Sequence, residues 1–441
     1  MTFTKPSVVI VGAGEFGAAT AVSLLQSGKY SKVTVLDRAA VLPAMDAASC
    51  DINKVVRFDY VDEDYCRLAR QAIDVWNKEE WKGIYYQTGV VVRWQEGPGI
   101  DSTAQRIVYD NVRSQEESVR LLTSADDIVA AVAGGNTEVP VTPPGPNDIA
   151  YHNSIGGWVN ASAAVNKLYS DLRALGGELV AGAEMEELLL NSDKTDVRGV
   201  RLKDGRDFFA EHTIIAMGSW TAAHPTLHDI VPNGLITATG QTIAGVQLSP
   251  EEIQRYANIP VNMHHDGSNY YMFPPNETGL VKFAFHAAGY LSENGQPRTI
   301  ADPKAMAYSE ANNVGWIPAQ SVRGLREQLR IAYPELAKKP IAFTRMCWYS
   351  DVLDGDWVID YAPQYFSLLI ASGGAGHAFK FLPIIGDLIR ARLENTLDLK
   401  LQKKWQISRV PTTIDPGRPV SARQPLQLTS LVSHKELLTA V

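Results

Sequence analysis

The run Val8-Val9-Ile10-Val11-Gly12-Ala13-Gly14-Glu15-Phe16-Gly17 constrains this chain more than any other stretch. Four β-branched residues predict a buried strand, the glycines predict a tight turn, and Ala18 to Leu25 predicts a helix folded back on that strand. Gly12, Gly14 and Gly17 permit the turn, the approach of backbone to a pyrophosphate, and close packing of helix on strand. The helix start would offer free N–H groups to phosphate. A second strand, Val33 to Leu36, ends on Asp37, twenty residues past Gly17, where a carboxylate can accept ribose hydroxyls, with Arg38 beside it as a further contact. The stretch therefore reads as a dinucleotide cradle, which leaves open FAD or a nicotinamide.

A chain of 441 residues exceeds one ordinary core, and 45% hydrophobic content can fill two. We expect a discontinuous dinucleotide-binding domain from residues 1–85, 150–222 and 343–402, a substrate domain from 86–149 and 223–342, and a tail over 403–441. The net charge of −8 comes without acidic runs or a basic face, so neither nucleic acid nor membrane is an expected partner. No run of eighteen apolar residues occurs, a strand stands where a secretory signal would lie, and the C-terminus lacks Ser-Lys-Leu; an intracellular, cytoplasmic protein is expected. Cys50, Cys66 and Cys347 are too few and too scattered for a disulfide framework or a zinc site, and no metal is expected.

Along the chain, residues 44–59 are rich in small and polar residues, as in a loop lying over a ligand. Helical spacing recurs over 64–80, from Ala161 to Leu175, through much of 303–336, and from Leu382 to Asn395. Alternating patterns from 235 to 290 predict antiparallel strands. Thr213-Ile214-Ile215-Ala216-Met217-Gly218 is an apolar strand closing on Ala-x-Gly. It resembles the second glycine motif of flavoproteins, which favours FAD and adds Gly218 to its contacts. Beyond Lys403 the tail is polar and proline-spotted and carries no readable role.

Three further motifs carry a specific resemblance: Arg345-Met346-Cys347-Trp348-Tyr349, Gly373-Gly374-Ala375-Gly376-His377-Ala378-Phe379-Lys380, and Tyr271-Met272-Phe273-Pro274 with Lys282 and His286. Over residues 7 to about 400 the chain resembles the sarcosine, pipecolate, saccharopine and fructosyl amino acid oxidase group of covalent flavoproteins, the last also called amadoriases. The resemblance implies an α/β fold, with a Rossmann-type FAD-binding domain interleaved with a mixed-sheet substrate domain, as in D-amino acid oxidase or glucose–methanol–choline two-domain flavoproteins. It implies a monomer carrying FAD bonded to Cys347, with Gly374, Gly376, His377 and Lys380 at the pyrimidine side and a helix opening after Gly376 towards it. Lys282 falls where the family has a lysine beside flavin N5. A fixed cation there stabilises the anion formed as oxygen takes its first electron, giving an oxidase that releases hydrogen peroxide. A solvated strand face is the ordinary alternative for Lys282, as a buried thiol is for Cys347.

On the substrate side, Arg57 matches the family's carboxylate-binding arginine, with Lys380 and Tyr349 completing that site. Paired cations suit an amino acid better than a bare amine. Lys54 replaces an arginine at the cofactor. Lys282, His286 and Tyr271 form the catalytic group, where histidine could tune the protonation of the amine. Fructosyl amino acid oxidases carry Asp-Glu where this chain has Phe285-His286, yet the N-terminal half is closer to that fungal branch. The pocket residues favour an FAD-dependent oxidase of a secondary or N-methylated amino acid, with hydride leaving the C–N carbon for flavin and oxygen as acceptor. The imine would be hydrolysed or trapped by the substrate's own ring in a biosynthetic route. A fructosyl amino acid oxidase and a flavin-binding protein without turnover are the alternatives.

Overall fold

The computed structural model describes residues 5–292, 295–298, 317–415, 423–433 and 436–437. Strand Ser7–Val11, buried on both faces, lies at the heart of a six-stranded sheet. It pairs in parallel with Lys32–Leu36 on one side and His212–Ile215 on the other; Glu178–Val180 and Leu368–Ser372 extend the sheet in parallel, and Val358–Tyr361 closes it antiparallel. Helix Glu15–Ser27 follows the glycine turn, ends on Gly28 in the left-handed conformation, and packs against helices Ala161–Ala174 and Leu382–Leu393. All the parallel strands thus point their carboxyl ends at one edge, where doubly wound sheets bind ligands.

A ten-stranded mixed sheet forms the other large layer. Its spine is Thr237–Gln247, paired with Ile341–Asp351 on one side and Leu280–Phe285 on the other. Tyr270–Met272, Val261–His264 and Val90–Gln95 continue it outwards. This register sets Cys347 opposite Gln241 and Lys282 opposite Gly245. Strands Asp148–Asn153 and Ile341–Asp351, which straddle residues 150 and 343, both belong to this sheet.

Most expected elements occur with small changes. The 64–80 helix is Glu63–Trp76 followed by a 3₁₀ turn at Glu79–Trp81, and Asp62 caps it by accepting from Tyr65 N. Within 303–336 the helix is Ala319–Ala332, and residues 303–316 lie outside the described residues. The polar stretch 44–59 contains a short strand, Lys54–Val56, because it pairs with Gly157–Val159. The helix expected directly after Gly376 begins only at Leu382, behind a 3₁₀ turn at Phe379–Phe381, and Pro383 suits its first turn. Among the described residues no helix is long and apolar enough to cross a membrane.

Candidate active site

A cavity of about 520 Å³ opens at the carboxyl edge of the parallel strands. One end is built from backbone. Gly12 has φ +107°, and a Cβ there would stand 2.3 Å from the Ala216 carbonyl oxygen; a Cβ on Gly17 would stand 1.9 Å from that of Gly12. Gly14 caps the helix without a side-chain bond, which leaves its first N–H groups free for an anion. Asp37 accepts from Ala13 N at 2.8 Å and Ala39 N at 2.9 Å. Burial raises its pKa, and those two bonds oppose the rise. Arg38 pairs with Asp46 at 2.6 Å and lies over the Trp220 ring at 4.4 Å. Gly218, at φ +54°, completes this end.

The other end is lined by Lys54, Trp348, Tyr349, Gly374 and Gly376. Gly376 is in the left-handed region, and a Cβ there would strike the Tyr349 ring at 2.2 Å. Ser219 Oγ and Trp348 Nε1 are buried in the wall with no hydrogen-bond partner among the described residues. A helix N-terminus at one end, a close glycine approach at both, and unpaired polar atoms between them fit FAD. Cys347 is fully buried one residue from the lining Trp348, packed with Ile243, Ala284 and Tyr349.

Lys282 is also fully buried, so the solvated-face reading fails. Its Nζ donates to Asp51 Oδ2 at 2.7 Å and to the Asn53 carbonyl at 2.7 Å. Asp51 also takes Lys54 at 2.7 Å, and Arg345 stands 3.9 Å away. Burial alone would raise the Asp51 pKa, but Lys282, Lys54 and Arg345 outweigh it and hold the carboxyl well below its usual range. Burial lowers Lys282 to about 8, with Asp51 opposing and Lys54 adding to the fall. Tyr271 lies beside this cluster; burial pushes its phenol up to about 12 against the pull of Lys54.

A second cavity, of about 950 Å³, is lined by Arg57, Tyr60, His265, His286 and His377 among others. His286 faces Tyr349 of the first cavity, ring centroids 6.0 Å apart. Arg57 and Lys380 flank the Tyr60 ring at 5.6 and 5.0 Å. Arg57 donates to the Asp59 carbonyl, and Lys380 Nζ donates to Tyr60 OH and the His377 carbonyl, each at 2.7 Å. Among the described residues neither cation has a carboxylate within 4 Å. Burial, reinforced by Arg57, drives Lys380 well below its ordinary value. Burial and Arg57 likewise lower His265 to about 4, which keeps it neutral near pH 7. His377 turns to this second cavity: its Nδ1 meets Tyr60 OH at 3.0 Å and its Nε2 the Gly355 carbonyl at 2.8 Å.

Residues 7–392 match the sequence profile described as FAD dependent oxidoreductase. The chain belongs to that family. It is 30% identical to the L-saccharopine oxidase of Schizosaccharomyces pombe over 418 residues, covering 91% of this chain and 92% of that protein. It is 23% identical to a monomeric sarcosine oxidase from a Bacillus species, over 89% and 94% of the two chains. Among solved structures, a thermally stable mutant of fructosyl peptide oxidase superposes with TM-score 0.81 at 25% identity, over 96% and 97%.

Four features of this FAD-dependent oxidoreductase escape sequence reasoning. Asp51, the counter-ion of Lys282, sits in the stretch 44–59; its place as one of three acids there, three residues before Lys54, is its only signal. Tyr60, between the two cations, follows Arg57 by three residues. Glu15, inside the glycine motif, lines the first cavity; burial lifts its carboxyl to about 7 while Lys54 and Lys380 pull it down. The tail supplies a wall, since Arg409, Thr412, Ile414 and Asp415 line the second cavity. Trp405, fully buried, and Arg409, paired with Asp354 at 2.9 Å, hold it there.

Proposed function

We propose that this protein is an oxidase of a secondary or N-methylated amino acid, with FAD bonded to Cys347 and oxygen as acceptor. The observation that carries the reading is the pair Arg57 and Lys380, two cations beside one aromatic ring with no carboxylate within ion-pair distance among the described residues. Such a pair suits the planar carboxylate of an amino acid, which would form charge-assisted bonds to both. Bound FAD supplies the acceptor for hydride leaving the C–N carbon, so that the substrate becomes an imine and oxygen becomes hydrogen peroxide. The cavity-lining Gly12, Gly14, Asp37, Arg38, Gly218, Gly374 and Gly376 would hold the cofactor, with Gly17 closing helix on strand behind them. His286 and Tyr271 would orient the amine, Tyr349 would bridge the two cavities, and Lys282 would face the oxygen step. In this reading the cofactor domain draws on segments 1–85, 150–222 and 343–402 apart from the strands Asp148–Asn153 and Ile341–Asp351, which belong to the ten-stranded sheet, and the protein acts as a cytoplasmic monomer.

The relatives support this class, because those named above act on L-saccharopine and sarcosine, both secondary amines. A second reading, fructosyl amino acid oxidation, is favoured by the superposition on fructosyl peptide oxidase. Phe285 and His286 offer no acid, so that reading needs one elsewhere in the second cavity, which Asp59, Asp354 or Asp415 could supply.

The deciding experiment follows flavin absorbance anaerobically and peroxide aerobically with sarcosine, pipecolate, saccharopine, N-methyl aromatic amino acids and fructosyl-valine. Bleaching and peroxide with a secondary or N-methyl amino acid are expected; activity confined to fructosyl-valine would overturn the first reading. No bleaching with any amine would point to a protein without turnover. Acid-denatured protein should stay yellow, and Cys347→Ser should release the colour; free flavin from the denatured wild type sinks the covalent link.

A further inference from the structure

One carboxylate holds three cations that come from three parts of the chain. Asp51 Oδ2 takes Lys282 of the ten-stranded sheet and Lys54 of the loop segment, each at 2.7 Å. Its other oxygen lies 3.9 Å from Arg345, on the strand that carries Cys347. The carboxylate is not free to drift. Ile52 N donates to Oδ1 at 2.8 Å, and Ser162 donates to the Asp51 carbonyl through both its backbone N and its hydroxyl, each at 3.0 Å. Arg345 in turn donates to the carbonyls of Ala47, at 2.8 Å, and Cys50. Segment 47–54, which runs past the first cavity, is thereby pinned at one charged point.

A buried ammonium survives only when a fixed anion opposes its loss of hydration. The charged and titratable groups facing Lys282 are Asp51 and Lys54 from that segment and Cys347 from the Ile341–Asp351 strand. Arg345 and Tyr271 face Asp51. Phe273 lies under the ammonium at 4.9 Å, and Gly245 is opposite it in the sheet. Among the described residues Asp51 is the one carboxylate that Lys282 and Lys54 meet at hydrogen-bond distance.

We propose that Asp51 is the positioning residue of the oxidase site, holding the Lys282 ammonium charged and in place and locking the loop segment to it. The inference rests on the reading of Lys282 as the cation of the oxygen step, and it adds the group on which that cation depends. Removing the anion leaves Lys282 beside Lys54 and Arg345, so Lys282 should lose its proton at lower pH.

The test compares holoenzyme of wild type, Asp51→Asn, Asp51→Glu and Lys282→Met. Two quantities are followed from about pH 6 to about pH 10: the visible spectrum of the oxidised flavin, and the rate at which the reduced enzyme is reoxidised by oxygen. In the wild type both should change as pH rises through about 8, the faster reoxidation lying on the acid side. In Asp51→Asn the change should move at least about one pH unit lower, making reoxidation about fivefold slower at pH 8 and little different at pH 6. Asp51→Glu should restore part of the shift, and Lys282→Met should abolish the titration. An unmoved titration in Asp51→Asn, with Lys282→Met having abolished it, overturns the inference. If Lys282→Met leaves reoxidation unchanged, the oxygen-step reading fails, and the spectral titration still judges whether Asp51 controls Lys282. Should Asp51→Asn yield no soluble protein, the double variant with Lys282→Met decides: recovery of yellow protein supports the pairing, and failure to recover while Lys282→Met folds alone refutes it.

Discussion

Lys282 and Lys380 are both buried, yet the protein treats their charges differently. Lys282 meets Asp51 at 2.7 Å, and burial brings it down only to about 8. Lys380 has two neutral oxygens, of Tyr60 and His377, and is driven well below its ordinary value by burial and by Arg57; Asp59, Glu15 and Asp415 oppose only from beyond ion-pair distance. The first charge is completed by the fold. The second is left for a ligand to complete: a carboxylate arriving beside Arg57 would give Lys380 what Asp51 gives Lys282. A cation with an internal partner suits a step common to every turnover, and one without suits selection of the substrate.

The largest effect should come from Lys282. On the proposed role, replacing it with Met keeps the side-chain length and would remove the charge from where negative charge develops, and losing one such fixed group costs on the order of 100- to 1000-fold. Lys282→Met should therefore slow reoxidation by that factor while reduction by the amine changes little, as read by stopped-flow absorbance. Equal slowing of both half-reactions would erase the distinction between the lysines.

Next comes the substrate carboxylate. Lys380→Met or Arg57→Ala removes one charge-assisted bond, about 1.5 to 3 kcal/mol, and should raise KM for the amino acid about 10- to 150-fold. The corresponding amine without a carboxylate should lose nothing. The sign of the pH dependence follows from the depressed Lys380. Its pKa is low in the free enzyme and is raised by a bound carboxylate, so between the two values binding takes up one proton. Then kcat/KM falls as pH rises, by about tenfold per unit, and Lys380→Met flattens that limb. A limb that survives in Lys380→Met assigns the titration elsewhere.

These two sites were unequally legible in the sequence. Gly12, Gly14, Gly17 and Asp37 fall within one βαβ unit, so their spacing along the chain already describes the strand, turn and helix that build one end of the first cavity. Lys282 and Lys380 stood out by their flanking residues, but their environments are made by tertiary contacts. Asp51 reaches Lys282 across 231 residues and Tyr60 reaches Lys380 across 320, and no periodicity records such a meeting. Lys282 alternates along its strand as a surface residue would; only its partner explains its burial. His377 lies in the glycine loop yet faces the second cavity, because Gly355 and Tyr60 take both its ring nitrogens. The tail carries no readable role in the sequence because its anchors, Trp405 and the Arg409–Asp354 pair, are single residues in a stretch without repeating pattern.

The smallest effect tests whether the second lysine is prepared for its ligand. The Gly355 carbonyl can only accept, so His377 Nε2 carries a proton; in the neutral ring Nδ1 then accepts from Tyr60 OH, and the Tyr60 oxygen is left to receive Lys380. This one-way chain aims the ammonium along the ring that Arg57 also flanks. Tyr60→Phe keeps the ring and removes the acceptor, a neutral partner worth about 0.5 to 1.5 kcal/mol, so KM should rise about 2- to 12-fold. Reoxidation should not change, because Lys282 is held by Asp51. If Tyr60→Phe slows reoxidation as much as it weakens binding, the two lysines share one network, and the division between a charge completed by the fold and one completed by the substrate fails.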